Sequence, residues 1–177
     1  IGESGSGKSS ISKCIIGYYE DYTGVIKYKG VNIKSYGRKF LSKEIQLIFQ
    51  DPYSSLDPKI KVVRHIQQIL KFHFNHSNTE SMNLAKEYLS MVKLDENLFH
   101  KYPKQLSGGE RQRVVIAAAI SLRPKILICD ECVSALDNST RFAILELLIE
   151  LKKNLNFSMI FISHNLSLIH ISEPTRP

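Results

Sequence analysis

Tryptophan is absent from this sequence of 177 residues, and cysteine occurs only three times. An odd number of cysteines without framework spacing excludes a small secreted domain stapled by disulfides and favours a reducing compartment. Long hydrophobic runs are also lacking, because the longest, such as residues 114–120, fall far short of the roughly 18 to 20 residues that span a bilayer. The sequence therefore excludes a chain that itself forms a membrane pore.

The composition is that of a globular domain with a sizeable core, since 43% of the residues are hydrophobic and 23% are charged. The formal net charge of +7 is compatible with binding to nucleic acid or to an anionic membrane surface. Lysine and arginine are scattered, however, with only short clusters such as Lys59, Lys61 and Arg64. We interpret the excess as solvated surface and expect no nucleic-acid partner.

The glycine-rich segment GESGSGKS matches G-x-x-x-x-G-K-[ST] without a deviation. Its glycines let backbone N–H groups surround phosphate oxygens, Lys8 brings a cation to the β- and γ-phosphates, and Ser9 offers a hydroxyl to Mg²⁺. A flexible Gly/Ser linker is the alternative, but a linker has no reason to lead into a helix carrying Ile11, Ile15 and Ile16. The candidate phosphate-binding residues are Gly2, Glu3, Ser4, Gly5, Ser6, Gly7, Lys8, Ser9 and Ser10.

Periodicity divides the chain into four regions with different patterns. Residues 1–51 hold the phosphate loop, β-like runs at 24–28 and 31–33 joined by a turn at Lys29-Gly30, and an apolar strand at 45–49. Residues 52–122 have apolar residues at helical spacing and predict a helical subdomain. Residues 123–167 alternate strand and helix, and residues 168–177 show no such pattern and are expected to be a non-native tail. Because a phosphate loop normally follows a buried strand, we also expect a strand before Ile1.

The third region predicts a parallel sheet with crossover helices, an α/β fold. Ile126–Cys129 and Met159–Ile162 are short continuous apolar runs, typical of strands buried on both faces. Between them, Asn138 is a candidate helix cap. The helix that follows carries one apolar stripe, made of Leu145, Leu148, Leu151 and Leu155.

Two acids, Asp130 and Glu131, follow the first of these strands, at the carboxyl end where open α/β sheets bind ligands. Asp130 is a candidate Mg²⁺ ligand through water, and Glu131 is placed to orient or deprotonate an attacking water. A pair of solvated acids is the alternative. Cys129 and Cys132 also form a C-x-x-C, typical of redox chemistry or half a zinc site, but no second Cys/His pair has ligand spacing.

The segment LSGGERQR, Leu106–Arg113, resembles the signature of the ABC ATPase family. Ser107, Gly108 and Gly109 open a helix that runs through Ile120, which makes a second helix-terminus anion site. The resemblance implies that these residues meet the γ-phosphate of ATP bound by another subunit. Taken alone, they are also compatible with a simple helix cap.

Three further matches follow the order of the family's motifs. Gln50 resembles the Q-loop glutamine, which implies contact with Mg²⁺ or the attacking water. Residues 134–137, which end in Asp137, resemble the D-loop that contacts the opposite subunit. His164 resembles the switch histidine that hydrogen-bonds the γ-phosphate. The resemblance thus implies Glu131, His164 and Gln50 as catalytic residues and Ser9, Gln50 and Asp130 around the metal.

Within the family, residues 49–58, 105–120 and 129–137 resemble the group that energises uptake of oligopeptides, dipeptides, and nickel or metallophores. Cys132 stands where this group usually has proline, and the family's adenine-stacking aromatic residue would lie before Ile1. The resemblance implies a P-loop NTPase fold of the RecA-like type. Such a fold has a parallel sheet core, an antiparallel β edge and a helical subdomain.

The resemblance implies an ATP-hydrolysing subunit that uses ATP and Mg²⁺ and couples dimer closure to import. Its implied partners are a second ABC ATPase subunit, transmembrane permease subunits that dock around Tyr53–Phe74, and, indirectly, an extracytoplasmic solute-binding protein. Its implied location is peripheral, on the cytoplasmic face of the cell membrane. A soluble ABC ATPase acting on nucleic acid or ribosomes is the main alternative, and a cassette that binds without hydrolysis is another.

Overall fold

The computed structural model describes residues 6–163. Its helices are α1 (Lys8–Ile15), α2 (Arg38–Glu44), α3 (Val62–Phe74), α4 (Asn78–Met91), α5 (Gly108–Ile120) and α6 (Asn138–Leu155), and its strands are β1 (Lys27–Tyr28), β2 (Val31–Asn32), β3 (Ile45–Ile48), β4 (Ile126–Asp130) and β5 (Ser158–Ile162). Short 3-10 turns lie at Ile33–Ser35, Glu96–Leu98 and Pro103–Gln105. None of the helices in this part of the chain is long and apolar enough to cross a membrane.

β3, β4 and β5 form a parallel sheet with β4 in the centre. The register pairs Ile48 with Cys129 and Asp130 with Ile162, so the carboxyl ends of the three strands lie at one edge. β4 is buried over its last four residues, as its continuous apolar sequence predicts. The acids at the end of β4 are therefore at the edge where α/β sheets bind ligands.

The prediction that the second apolar strand is buried on both faces is wrong. Met159 and Phe161 of β5 pack against the main core, whereas Ile160 is 44% exposed. Within residues 6–163, β5 pairs with β4 alone. On the face that carries Ile160, Ile162 packs against the apolar cluster around Ile128, so this face is covered only in part. The apolar run identified the strand but not the burial of both faces.

The sheet separates two apolar clusters, because successive side chains of a strand point to opposite faces. Leu127 and Cys129 of β4 join a large cluster with α3, α4, α5 and α6. Ile128 joins a smaller cluster with Tyr28 and Leu41, against which Ile15 of α1 packs. Helices therefore lie on both faces of the sheet, as the predicted α/β fold requires.

β1 and β2 form an antiparallel hairpin, in which Tyr28 pairs with Val31. Lys29 and Gly30 both have positive φ, 50° and 81°, the conformation of a type I′ two-residue hairpin turn. The predicted turn is confirmed, but the strands are shorter than the predicted runs. The chain enters a 3-10 turn at Ile33, where Asn32 accepts a hydrogen bond from the N–H of Lys34 at 3.0 Å.

α2 is a helix that the sequence did not predict. Leu41 is its only fully buried residue, so α2 lacks the repeated apolar spacing that marks a helix. Its last residue, Glu44, accepts hydrogen bonds from the hydroxyl of Tyr28 at 2.6 Å and from the ammonium group of Lys29 at 2.9 Å. These contacts fasten the helix to the hairpin.

α3 and α4 form the predicted helical region and pack against each other and against α5. Val62, Val63, Ile66 and Leu70 of α3 are buried, at the three- and four-residue spacing that predicted the helix. α4 begins where the hydroxyl of Ser77 accepts a hydrogen bond from the N–H of Glu80 at 3.2 Å.

The cap of α6 is Asp137, not Asn138. Asp137 has extended backbone angles and accepts a hydrogen bond from the N–H of Thr140 at 3.0 Å, while Asn138 is the first helical residue. Both residue types favour the cap position, and residue type alone does not choose between neighbours. Of the predicted stripe, Leu145, Leu148 and Leu151 are buried, and Leu155 is partly buried against the same core.

Candidate active site

The start of α1 carries the described end of the phosphate loop. Gly7 precedes the helix with φ of 86°, a left-handed conformation that favours glycine. The side-chain nitrogen of Lys8 lies 3.2 Å from Oγ of Ser6. The helix thus presents its N-terminal N–H groups and a lysine on one side, which suits an anion. The predicted residues Gly2, Glu3, Ser4 and Gly5 lie outside the described residues.

The apolar residues in and just after the rest of α1 differ in burial. Ile15 and Ile16 pack against the smaller apolar cluster, whereas Ile11 is 58% exposed. The buried residue of α1 is Ser12, whose hydroxyl donates to the carbonyl oxygen of Lys8 at 3.2 Å. Ser10 is exposed.

Ser9 and Asp130 meet across the site although 121 positions separate them. The hydroxyl of Ser9 donates to Oδ1 of Asp130 at 2.9 Å, and Asp130 is only 5% exposed. β4 ends at Asp130, and α1 begins just before Ser9. The start of α1 therefore lies over the carboxyl end of the central strand.

This pair fits Mg²⁺. A hydroxyl and a carboxylate are hard oxygen donors, and Mg²⁺ is usually held by one or two such protein groups together with substrate phosphates and water. Among residues 6–163, no group of three or more His, Cys, Asp or Glu side chains is placed to hold a metal ion. The pair suits a cation that is shared with a bound phosphate better than a metal cage built from protein alone.

Glu131 turns the chain at the end of β4. Its φ is 50°, a conformation that costs energy in a non-glycine residue and is common at functional sites. Its N–H donates to the carbonyl oxygen of Ile162 on β5 at 2.9 Å, and its own carbonyl accepts the N–H and the hydroxyl of Ser134 at 3.0 and 2.9 Å. The backbone of Glu131 is thus held from both sides.

The two cysteines that flank the acids lie in the core. Cys129 is 0% exposed and Cys132 is 2% exposed. The hydrogen bond to Cys132, together with burial, raises the pKa of the Cys129 thiol well above its ordinary value. A raised pKa disfavours the thiolate, the form that reacts and binds metals. The position that departs from the family's proline is therefore filled by a packed thiol.

Ser107 caps α5, as the sequence predicts. Its hydroxyl accepts a hydrogen bond from the N–H of Glu110 at 3.3 Å, and its own N–H donates to the carboxylate of Glu110 at 2.6 Å. This reciprocal capping box leaves the N–H groups of Gly108 and Gly109 in the first turn of the helix. The arrangement serves a helix start and also suits a second anion site.

Both glycines of this turn lie against the segment that follows Glu131. A Cβ added to Gly108 would come within 3.4 Å of Leu136, and one added to Gly109 would lie 2.4 Å from Cγ2 of Thr140. The second distance is far too short for two carbons in contact. Gly109 therefore allows the start of α5 to approach the first turn of α6.

Asp137 is held at the start of α6. It accepts hydrogen bonds from the hydroxyl of Ser139 at 2.6 Å and from the N–H of Thr140 at 3.0 Å, and these keep the pKa of Asp137 well below its usual range. Arg141, which the sequence did not single out, binds the same segment. It donates to the carbonyl oxygens of Val133 at 3.2 Å and Leu136 at 2.9 Å. No sequence motif marked this contact.

Gln50 lies two residues beyond Ile48, the last residue of β3, and its side chain is exposed. Since Ile48 pairs with Cys129 in the parallel register, Gln50 and Glu131 each lie two residues beyond this pair, at the same edge of the sheet. His164 follows β5 in sequence but lies outside the described residues.

A cleft of about 420 Å³ lies between the sheet and the helical region, and it is lined by Phe49, the residue before Gln50. Phe49, Leu56, Ile69, Val115 and Ala118 contribute its apolar lining. Leu56 and Ile69 belong to the segment Tyr53–Phe74. Lys13, Gln46, Ser54 and Ser55 line it as well, so the cleft is a recess of mixed polarity beside β3.

Comparisons with known proteins agree with this geometry. A family model described as ABC transporter matches residues 1–134. The chain is 39% identical to the oligopeptide transport ATP-binding protein AppF of Bacillus subtilis, over 98% of this chain and 54% of AppF. It is 40% identical to OppF of Haemophilus influenzae, over 98% of this chain and 54% of that protein. It is also 40% identical to the glutathione import ATP-binding protein GsiA of Pectobacterium atrosepticum, over 96% of this chain and 28% of GsiA. The chain spans about half the length of AppF and of OppF, or less in the case of GsiA.

Solved structures with the same fold are ATP-binding cassettes. The dimeric cassette MJ0796 bound to ADP and Pi superposes with a TM-score of 0.81 at 28% identity, covering 95% of this chain and 74% of that one. The protein cbiO1 of Clostridium perfringens, part of the transporter complex cbiONQ, gives 0.79 at 28% identity, covering 93% and 65%. These matches confirm the predicted α/β fold, and the curated relatives confirm the resemblance to ATP-binding proteins of peptide importers. The chain belongs to the ABC transporter family.

Proposed function

We propose that the full-length protein binds and hydrolyses ATP as one subunit of a membrane importer for peptides, or for nickel or a metallophore. The observation that carries the proposal is the 2.9 Å contact between Ser9 and Asp130, because it joins the phosphate loop to the acids at the end of the central strand. The relatives named for oligopeptide transport and glutathione import support peptides as the substrate class.

The proposed chemistry divides among the residues at the ends of α1 and β4. Lys8 and the N–H groups at the start of α1 bind the phosphates of ATP. Ser9 and Asp130 would hold Mg²⁺, which would supply positive charge to offset that of the phosphates. Glu131 accepts a proton from the attacking water or orients it, because its backbone is fixed beside Asp130. Gln50 and His164 are proposed to contact the same water and the γ-phosphate.

A second ATPase subunit is the proposed partner at the start of α5. Ser107, Gly108 and Gly109 present a capped helix terminus, and Asp137 lies at the neighbouring terminus of α6. In the proposed dimer these residues cover the ATP held by the opposite subunit. Closure is the step that drives transport, because the γ-phosphate binds the closed dimer better than the open one. The dimeric structure of MJ0796 supports this arrangement.

The permease is proposed to dock at the cleft beside β3 and along the segment Tyr53–Phe74. The cleft combines apolar and polar lining groups, and the segment also carries exposed aromatic side chains, with Tyr53 62% exposed and Phe72 66% exposed. Such recesses suit a partner helix. The protein would then lie at the cytoplasmic face of the membrane, and an extracytoplasmic binding protein would deliver solute to the importer.

We further propose that the chain divides into four regions. These are the phosphate loop and β part at 1–51, the helical subdomain at 52–122, the strand–helix–strand part at 123–167 and a non-native tail at 168–177.

The test is the ATPase activity of the full-length protein reconstituted in vesicles with the permease encoded beside it. We expect turnover that requires Mg²⁺ and rises when the transported solute and its binding protein are added. Vesicles without the permease are the control. Turnover indifferent to the permease would contradict the importer and favour a soluble ABC ATPase acting on nucleic acid or ribosomes. Absence of turnover under every condition would favour a cassette that binds without hydrolysis.

A further inference from the structure

Arg111, on the first turns of α5, is a buried cation without a carboxylate partner among residues 6–163. The residue is 6% exposed, and its Nε has no hydrogen-bond partner in the described part of the chain. Burying a charge in this way costs free energy unless other groups compensate for it. The side-chain hydrogen bonds of Arg111 are therefore needed to offset the cost of burying its charge.

Two of these contacts fix the turn that leads into the signature. Nη1 of Arg111 donates to the carbonyl oxygen of Leu106 at 2.6 Å and to that of Pro103 at 3.1 Å. Leu106 is the residue directly before Ser107, the cap of α5. Arg111 therefore determines where the chain enters the helix whose first N–H groups form the candidate anion site.

The third contact comes from a distant segment. Nη2 of Arg111 donates to the hydroxyl of Tyr53, 58 positions earlier. The carbon at the centre of the guanidinium group also lies 3.7 Å from the centroid of the Tyr53 ring. A hydrogen bond and a cation–π contact thus act together between the same two side chains.

Tyr53 belongs to a compact loop, Asp51–Ser55, that directly follows Gln50. The N–H of Tyr53 donates to Oδ1 of Asp51 at 2.9 Å, and the hydroxyls of Ser54 and Ser55 donate to the carbonyl oxygen of Asp51 at 2.9 and 3.3 Å. These bonds tie Tyr53, Ser54 and Ser55 to Asp51. Tyr53 is also 62% exposed, so that a partner seated at the neighbouring cleft would reach it directly.

We propose that the Tyr53–Arg111 contact couples the loop after Gln50 to the signature segment Leu106–Gly109, with Arg111 as a positioning residue. A permease that displaces Tyr53 releases one side of the guanidinium, and the turn at Leu106 shifts with it. This shift moves the start of α5 and so changes how well it can bind the ATP held by the second subunit. This inference rests on the proposed function, in that it names the route by which the permease would regulate the ATPase.

The first experiment tests the contact without the permease. Hydrogen exchange is measured on the full-length protein as wild type, Tyr53→Ala, which removes the ring and the hydroxyl, and Tyr53→Phe, which removes the hydroxyl alone. We expect faster exchange at residues 103–109 in the alanine variant and an intermediate rate in the phenylalanine variant. Phe142→Ala, which removes another half-exposed aromatic ring from α6, is the control and should leave that segment unchanged.

The second experiment measures coupling in the reconstituted importer, as the ratio of solute-stimulated to basal ATPase turnover. Tyr53→Ala is expected to lower this ratio by about two- to thirtyfold, the range for one element of a coupling network. Arg111→Lys keeps the charge but loses the fork that binds Tyr53 and the two carbonyls together. In that background, Tyr53→Ala should cause little further loss, because both changes break the same contact.

Two results would overturn the inference. One is exchange at residues 103–109 that is the same in Tyr53→Ala as in the wild type. The other is a fully additive loss in the double variant, which would show that Tyr53 acts by docking the permease alone. A wild-type protein that its permease does not stimulate would contradict the proposed function itself, and the exchange result would then decide by itself whether Tyr53 controls the signature segment.

Discussion

Replacing Glu131 with glutamine is expected to lower the ATPase turnover of the full-length protein by about 10²- to 10⁴-fold, the range for loss of a general base. Glutamine has nearly the same size but cannot accept the proton of the attacking water. The backbone of Glu131 is bonded to Ile162 and Ser134, and glutamine keeps these backbone bonds, so the turn at the end of β4 should survive. ATP affinity is therefore expected to change little, and turnover and ATP binding are measured on the same preparation.

The matched control is Glu150→Gln, the same chemical change at an exposed position on α6. Glu150 pairs with Lys93 at the surface, where both side chains are at least half exposed, and such pairs contribute little to stability. Its turnover should equal that of the wild type. Undiminished turnover in Glu131→Gln would remove Glu131 from the catalytic role and would move attention to Gln50 and His164.

The strands of the sheet could be predicted from sequence because each is a short apolar run between turn signals. β4 follows its prediction to within one residue, and the turn at Lys29-Gly30 has the expected conformation. α2 could not be predicted, because a helix that buries only Leu41 leaves no periodic pattern. The burial of β5 depends on which other elements pack over it. The sequence of the strand alone does not contain that information.

In the candidate site, the continuous motifs could be predicted from the sequence, whereas contacts between residues far apart in the chain could not. The phosphate loop, the acids and the signature are continuous motifs, and the structure brings Ser9 to Asp130 as their proposed roles require. The contacts of Arg141 and the pairing of Tyr53 with Arg111 join residues that no motif connects. The contact between Gly109 and Thr140 is visible only in the structure. The signature motif contains this glycine, but the motif does not indicate which residue packs against it.

Replacing Gly109 with alanine is expected to destabilise the protein, because the new Cβ would lie 2.4 Å from Cγ2 of Thr140. Overpacking of this kind costs about 1–3 kcal/mol, while alanine gains at most about 1 kcal/mol over glycine in a helix. Because 2.4 Å is a severe contact, we take the upper half of that range, about 2–3 kcal/mol, and expect the free energy of unfolding to fall by about 1–2 kcal/mol after the gain from alanine is subtracted. Urea unfolding of the full-length protein measures the change, and a midpoint that stays at the wild-type value would contradict the close approach of α5 and α6.

The double variant Gly109→Ala, Thr140→Ser separates two reasons for a glycine at this position. Serine removes Cγ2, after which the nearest atoms of residue 140 are the equivalents of Cβ at 3.8 Å and Oγ1 at 3.9 Å, ordinary contact distances. Stability should therefore return to that of Thr140→Ser alone. If Gly109 also has to approach the ATP of a second subunit, the added methyl group still obstructs that approach. ATPase turnover should then stay low in the double variant even though its stability is restored. Recovery of turnover together with stability would show that the glycine serves only the packing of α5 on α6, and would remove Gly109 from the proposed nucleotide-binding residues.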